Sequence, residues 1–317
     1  MRMNIDGIKV VDATLRDGGL VNDFYFDDEF VRALYQANIA AGIDYMEFGY
    51  RASKKHFDPD KFGKWKFTGD DDVLKVIGEK DPRIKLSVMV DVGRTDFRKD
   101  IGPGNSSPID LFRVATYIET IPEAIEMIEY ISSLGYETTC NLMAISRCSD
   151  EQIAKALYDL VQTPVSAVYI VDSYGALYPK QARKLTRLYQ KILSPAGKEV
   201  GMHAHNNQQC AFANTIEAKD LGAKWLDGTA FGMGRGAGNC HSEALIAYLN
   251  GKKYHVEPLL KLVEEWMLPM KESGTEWGYN TSYMLTGLTN QHPRTAIAAT
   301  KNRDTKYMEQ FKFLSYQ

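Results

Sequence analysis

The sequence predicts an α/β protein, a (β/α)8 TIM barrel with a helical C-terminal extension, on three observations. Short β-branched runs alternate with amphipathic stretches along most of the chain, the signature of βα units on a parallel sheet. Eight such runs occur. Eight parallel strands joined by helices close most economically into a barrel, because the handedness of the crossovers leaves few other arrangements. The 317 residues also exceed the roughly 250 of a single barrel, which leaves room for an appendage. A doubly wound open sheet is the competing architecture.

The first strand covers 9–15 (KVVDATL), followed by a helix over 28–41 and a second strand over 45–49. The next stretch, 56–72 (HFDPDKFGKWKFTGDDD), breaks the repeat. It is rich in aromatics, Gly, Lys and Asp, and on the face where barrels place their sites it would form a long loop acting as a lid. Strands at 85–92 and 111–116 lead to a helix at 122–134, a strand at 137–144, a helix at 150–161 and a strand at 167–171. A helix at 179–193, a strand at 199–205, a helix at 208–221 and a strand at 225–229 complete the set. Each helical stretch keeps the 3.6-residue period with a polar outer face. Beyond about Tyr254, a helical run over 257–267, then Pro269, a polar Gly-containing segment and a last apolar-periodic run make up the extension. The division is therefore 1–253 for the catalytic barrel and 254–317 for the extension.

Composition narrows the function classes. Lys+Arg 38 against Asp+Glu 41 gives a formal net charge of −3, which supplies no basic field for a phosphate backbone, so nucleic acid is excluded as a partner. The N-terminus, MRMNIDGIKVVD, has no apolar core or cleavage site of a signal peptide, and the most apolar stretch, 165–171, is too short to cross a bilayer. A soluble, cytoplasmic protein without membrane association is expected. The four cysteines, Cys140, Cys148, Cys210 and Cys240, have neither disulfide-scaffold density nor CxxC spacing and read as reduced thiols.

The sharpest local signal is GMHAHNN over 201–207, at the end of the seventh strand. Residues i and i+2 of a strand share a face, so His203 and His205 present two imidazoles side by side, a donor pair suited to a divalent transition metal. A bare HxH can instead be one core histidine beside one facing solvent, but the C-terminal end of a barrel strand is where sites are assembled. DATLRDGG, at the end of the first strand, adds Asp17 as a carboxylate ligand and Arg16 as fixed positive charge where an enolate develops. Glu47, in DYMEFGY, needs a partner if buried, and Arg16 is the neighbouring choice, so orientation of Arg16 is favoured over proton transfer. The run GTAFGMGRGAGN over 228–239 lies after the last strand rather than in a first βα turn, which argues against a dinucleotide fingerprint. Its glycines, Gly234 among them, let backbone approach a ligand, and Asn239 can offer an amide oxygen to the metal. DSYG, with Asp172 as a candidate substrate contact, and DVGRTD end other strands.

Taken together, Arg16, Asp17 and Glu47, the HxH pair, and the segments TLRDG, RVATY, VDSYGALYP, GMHAHNN with ANTIEA, and GMGRGAGN resemble the DRE-TIM metallolyase (HMGL-like) superfamily. The longest likeness is to its 4-hydroxy-2-oxovalerate aldolase branch. It covers roughly residues 8–250.

The resemblance implies one divalent metal ion, Mn first with Mg, Co or Zn also accommodated, held by Asp17, His203 and His205 and completed by Asn239. It implies a 2-oxo acid chelating that ion, Arg16 stabilising a pyruvate enolate as a carbon–carbon bond breaks, and an aldehyde as the second product. In the GYNTSY run, Tyr283 matches the tyrosine that the aldolase branch brings near the site. A homo-oligomer and an aldehyde dehydrogenase partner are further implications. One departure stands out: Leu20 occupies the position where the aldolases carry a histidine base. His56, His241 and Tyr283 are the replacements the sequence offers. An acyl-CoA-dependent Claisen synthase, a lyase of the HMG-CoA type, and a non-catalytic barrel serving as an assembly partner are the alternative functions.

Overall fold

The computed structural model describes residues 6–316; the N-terminal reading over residues 1–5 lies outside them. Eight parallel strands form a closed barrel in sequence order: β1 (Lys9–Asp12), β2 (Tyr45–Tyr50), β3 (Lys85–Asp91), β4 (Leu111–Thr116), β5 (Glu137–Leu142), β6 (Ala167–Asp172), β7 (Glu199–Ala204) and β8 (Trp225–Gly228). The register closes with Val10 opposite Leu226 and Asp12 opposite Gly228. The predicted barrel is therefore the observed one.

The helices between strands are α1 (Thr14–Gly18), α2 (Asp28–Ala41), α3 (Asp70–Ile77), α4 (Phe97–Asp100), α5 (Ile121–Ser133), α6 (Asp150–Leu160), α7 (Pro179–Leu193) and α8 (Ala211–Asp220), with α9 (Ser242–Leu249) after β8. α6 starts on a capping box: Ser149 Oγ accepts from the Gln152 N–H while the Gln152 side chain accepts from the Ser149 N–H. No helix among the described residues is long and apolar enough to cross a membrane.

Side chains inside the barrel change character from bottom to top. Tyr45, Leu111, Ala167 and Trp225, at the strand starts, form an apolar plug, with Tyr45 and Trp225 ring centroids 4.8 Å apart. Two residues further along each strand sit Glu47, Arg113, Tyr169 and Asp227, all buried. Gly201 is required here, because a Cβ would lie 2.5 Å from the Tyr169 ring. One step higher comes His203. A charged layer in this position is costly unless fully paired, and the pairing is what connects the plug to the mouth.

Three expectations are corrected. The first strand ends at Asp12, because Ala13 donates its last ladder bond to Gly228 O and the chain then coils, with Asp17 N–H returning to Ala13 O at 2.9 Å. Arg16 and Asp17 therefore sit on the short helix α1. The 56–72 stretch is a packed insertion, two 3-10 turns (Pro59–Lys61 and Lys64–Lys66) followed by α3, rather than a free lid. Fully buried Trp65 packs on Phe48 and the Thr68 hydroxyl donates to Phe48 O, which ties the segment to the back of β2. The C-terminal helix runs past Pro269: α10 (Glu257–Leu262) continues through a π-turn (Val263–Met267) into α11 (Leu268–Glu272). Leu268 N–H bonds Val263 O, five residues back, and this widened turn accommodates a proline that cannot donate to residue 265.

The rest of the extension is α12 (Thr281–Leu288), α13 (Arg294–Lys301) and α14 (Tyr307–Ser315), with Tyr283 of α12 and Ile297 and Thr300 of α13 lining a cavity beside Leu20 and Arg235. Asn207 Nδ2 donates to Tyr283 O at 3.0 Å and Gln208 Nε2 to Met284 O at 2.7 Å, fastening α12 to the loop after β7.

Candidate metal centre at the barrel mouth

The donor atoms of Asp17, His203 and His205 lie within 4.8 Å of one another, all three residues being buried. Asp17 Oδ2 is 3.3 Å from His203 Nε2 and 3.6 Å from His205 Nε2. Each imidazole is turned by its other nitrogen. His203 Nδ1 lies 2.8 Å from Asp227 Oδ2, and His205 Nδ1 lies 3.1 Å from Asp172 O. Both Nδ1–H groups thus donate outward, leaving Nε2 lone pairs facing the carboxylate, the orientation that metal-ligating histidines share.

His205 Nε2 and Asn239 Oδ1 are among the buried side-chain atoms that have no hydrogen-bond partner among the described residues. A Cβ at Gly234 would fall 2.0 Å from Asn239 Nδ2 and 2.9 Å from Asp17 Oδ1, so only glycine lets these two side chains flank it. A carboxylate, two imidazoles and an amide oxygen fit a divalent ion of the Mn, Mg, Co or Zn type.

Electrostatics agree with the geometry. Burial opposes ionisation of Asp17, but the charge of Arg16 and the imidazoles overcome it and hold the carboxyl well below the ordinary range. Burial pushes His205 down to about 4, which keeps it neutral, whereas burial and the Arg16 charge at His203 are outweighed by its contacts with Asp17 and Asp227, which raise it above the ordinary value. Arg16 donates through Nε to Glu47 Oε2 at 2.9 Å and through Nη1 to Asp17, with Nη2 3.5 Å from the His203 ring. Glu47 Oε2 also accepts from Arg113 Nη1 at 2.9 Å. Glu47 thus holds Arg16 from behind and does not line the mouth.

The mouth itself is a cavity of about 60 Å³ bounded by Arg16, Asp17, Tyr50, Asn141, His205 and Arg235. Leu20 and Arg235 also line an adjoining cavity of about 810 Å³, where Tyr283 stands with its ring against Gly236. A further cavity, about 970 Å³, lies between the insertion and α10–α11, away from this chemistry. Asp172 spends its carboxylate on the Ala176 and Leu177 N–H groups, while its neighbours Val171 and Ser173 line the mouth. His241 pairs with Glu243 at 3.0 Å, and neither it nor His56 lines the mouth. The four cysteines are free.

Sequence reasoning missed Asp227, Asn141, Arg235 and His292. Asp227 carried a usable signal, a carboxylate at an inward position of an otherwise apolar strand.

A family model described as HMGL-like matches residues 109–266. A 4-hydroxy-2-oxovalerate aldolase of Carboxydothermus hydrogenoformans is 31% identical over 255 residues, 76% of this chain and 70% of the relative. An oxaloacetate decarboxylase of Mycobacterium tuberculosis is 29% identical over 249 residues, 76% of this chain and 69% of the relative. Among solved structures, a Bacteroides vulgatus domain assigned as the N-terminal domain of an aldolase aligns with a TM-score of 0.78 at 29% identity, over 93% of this chain and 97% of that one.

Proposed function

Because the chain belongs to the HMGL-like family of metal-dependent 2-oxo acid lyases, we propose that it is an aldolase. It breaks the C3–C4 bond of a 4-hydroxy-2-oxo acid to give a pyruvate-type enolate and an aldehyde. The observation that carries this reading is the placement of Arg16, whose Nε is fixed by Glu47 while its other nitrogens face Asp17 and His203. As the bond breaks, negative charge collects on the C2 oxygen. A guanidinium already locked in position stabilises that charge without reorganisation. Asp17, His203 and His205 hold the divalent ion with Asn239 as a further donor, Mn being the ion proposed first; when bound, it supplies Lewis acidity to the 2-oxo group. Tyr283, across the Leu20 and Arg235 wall, is the proposed aldolase tyrosine, and Asp172 and Gly234 act through the ligands they position.

One observation favours a second reading. The mouth holds no imidazole besides His203 and His205, and loss of CO2 from a 3-carboxy-2-oxo acid gives the same enolate with no hydroxyl proton to remove. Deuterium exchange into the methyl group of pyruvate, with Mn or Mg added, tests the shared enolate; no exchange with any divalent ion rejects both readings. Turnover of 4-hydroxy-2-oxovalerate against oxaloacetate then separates them.

A further inference from the structure

His292, in the turn between α12 and α13, lies beside Arg235 at the edge of the mouth. Its Nδ1 accepts from the Arg294 N–H at 3.2 Å, so in the neutral ring the proton sits on Nε2. That Nε2 lies 3.4 Å from Arg235 Nη1, and a guanidinium nitrogen can only donate. Two donors therefore face each other. Charging the ring makes the conflict worse, and moving the proton to Nδ1 transfers it to the Arg294 N–H. An oxygen that accepts from both Nε2–H and Nη1–H removes it.

Arg235 is held for this task. Its Nη2 donates to Ser173 O at 2.8 Å, its backbone N–H donates to Asp17 Oδ1 at 2.9 Å, and its Nε is buried with no partner among the described residues. Its side chain lines both the mouth and the adjoining cavity, and the His292 ring stands directly beside it, at the edge of the space that a substrate held at the metal ligands would enter. The Tyr174 ring packs edge-on against the imidazole, centroids 6.0 Å apart, and fixes its plane.

We propose that Arg235 and His292 form a receptor for a second carboxylate, so that the substrate is a dicarboxylic 2-oxo acid rather than a monocarboxylic one. This rests on the reading of the site as a metal-dependent 2-oxo acid lyase and names its substrate class. An anionic oxygen accepts well from both donors, and charge-assisted bonds of this kind are about twice as strong as neutral ones. Burial, Arg235 and Arg294 press the His292 imidazole down to about 4, so it remains a neutral donor across the working pH range and leaves the positive charge to Arg235. The aliphatic Leu20 on the same wall takes no part in the recognition.

Stable 2-hydroxy acids test this without turnover. Affinities of the Mn-loaded chain for lactate, malate and 2-hydroxyglutarate are measured by calorimetry for the parent, His292→Leu, His292→Gln and Arg235→Met. In the parent, malate or 2-hydroxyglutarate binds about tenfold or more tightly than lactate. His292→Leu loses that advantage while lactate binding is unchanged, Arg235→Met loses it as a ratio to its own lactate affinity, and His292→Gln, which keeps an N–H donor, retains most of it. Equal binding of all three acids by the parent, or an advantage that survives in His292→Leu and Arg235→Met alike, overturns the proposal and leaves the lyase reading standing. Failure of the parent to take up Mn, or to bind any of the three acids, overturns the lyase reading and this proposal with it.

Discussion

Arg113 Nη2 donates to Asp227 Oδ2 at 2.6 Å across the inside of the barrel, joining β4 to β8 beneath the metal ligands. The same carboxylate oxygen reaches His203 Nδ1, and the same guanidinium reaches Glu47, which holds Arg16. One chain of contacts therefore sets both a metal ligand and the cation that stabilises the enolate. Asp227→Asn is expected to weaken Mn binding by about tenfold to a hundredfold, because the imidazole loses its anionic acceptor. It also leaves Arg113 undercompensated in a site of zero exposure, at a cost of about 3 kcal/mol. Metal titration and urea unfolding check the two effects, and unchanged Mn affinity would show that Asp227 is only a structural partner of Arg113.

The two histidines separate metal binding from stability. His205 touches only a backbone carbonyl through Nδ1, so His205→Ala should abolish stoichiometric Mn binding with a modest change in unfolding midpoint. His203→Ala should abolish binding and also destabilise, because Asp227 loses a buried partner. Metal analysis of the dialysed proteins decides the first point. A double His→Ala protein that retains one equivalent of metal refutes the assignment.

His203, His205 and Asp17 are legible in the sequence because each lies within a strand-end motif whose neighbours declare it. The barrel is legible because each strand closes on its sequence neighbour. Asp227 shows in the sequence only as a lone carboxylate on a short strand; its role is not legible, because its partners His203 and Arg113 lie 24 and 114 residues away. The end of β1 is misread because Ala13 and Leu15 continue the apolar pattern while the chain has already begun to coil. The insertion after β2 looks like a lid because its aromatics and glycines resemble loop composition, yet tertiary burial of Trp65 overrides that local character. His292 lies in the extension, where no strand register predicts which residues come to lie beside Arg235.

Arg16→Lys should bind Mn normally and lose about a hundredfold in turnover. Lysine keeps the charge but cannot hold Glu47 through one nitrogen while presenting others to the substrate oxygen. Steady-state kinetics on whichever of 4-hydroxy-2-oxovalerate and oxaloacetate the parent turns over give the readout. Parental kcat in Arg16→Lys would make Arg16 a structural residue.

Lys66 supplies a pH dependence. Its Nζ lies 4.1 Å from the Phe57 ring centroid and 4.5 Å from that of Tyr50, and burial pulls the amine down to about 8 from an ordinary 10.5. Between those values the unfolded chain binds the extra proton, so the contribution of Lys66 to stability rises with pH from 8 to 10.5 and its cost is fully present below 8. Lys66→Met should therefore be more stable than the parent at pH 7, by up to about 3 kcal/mol, with the gain shrinking toward pH 10. Urea unfolding of both proteins at the two pH values gives the difference directly and cancels the tyrosines and cysteines that titrate in the same range. A gain of equal size at both would mean that packing, not proton linkage, is responsible.

Leu20 closes α1, with its N–H bonded to Asp17 O at 3.1 Å, and its side chain, 38% exposed, borders the mouth beside Arg16, Asp17 and His205. A histidine grafted there stands in the same cavity as the ligands, within a short reach of a hydroxyl on the substrate. Aldol cleavage needs a base at that hydroxyl, and leucine cannot serve. The parent should therefore cleave 4-hydroxy-2-oxovalerate slowly, and Leu20→His should raise kcat by about a hundredfold or more, measured as pyruvate released. Decarboxylation of a 3-carboxy-2-oxo acid has no hydroxyl proton to remove and should gain nothing from the same substitution. Fast cleavage by the parent, undiminished in Tyr283→Phe and in His292→Leu, would show that neither side chain takes the proton and that Leu20 marks no missing base.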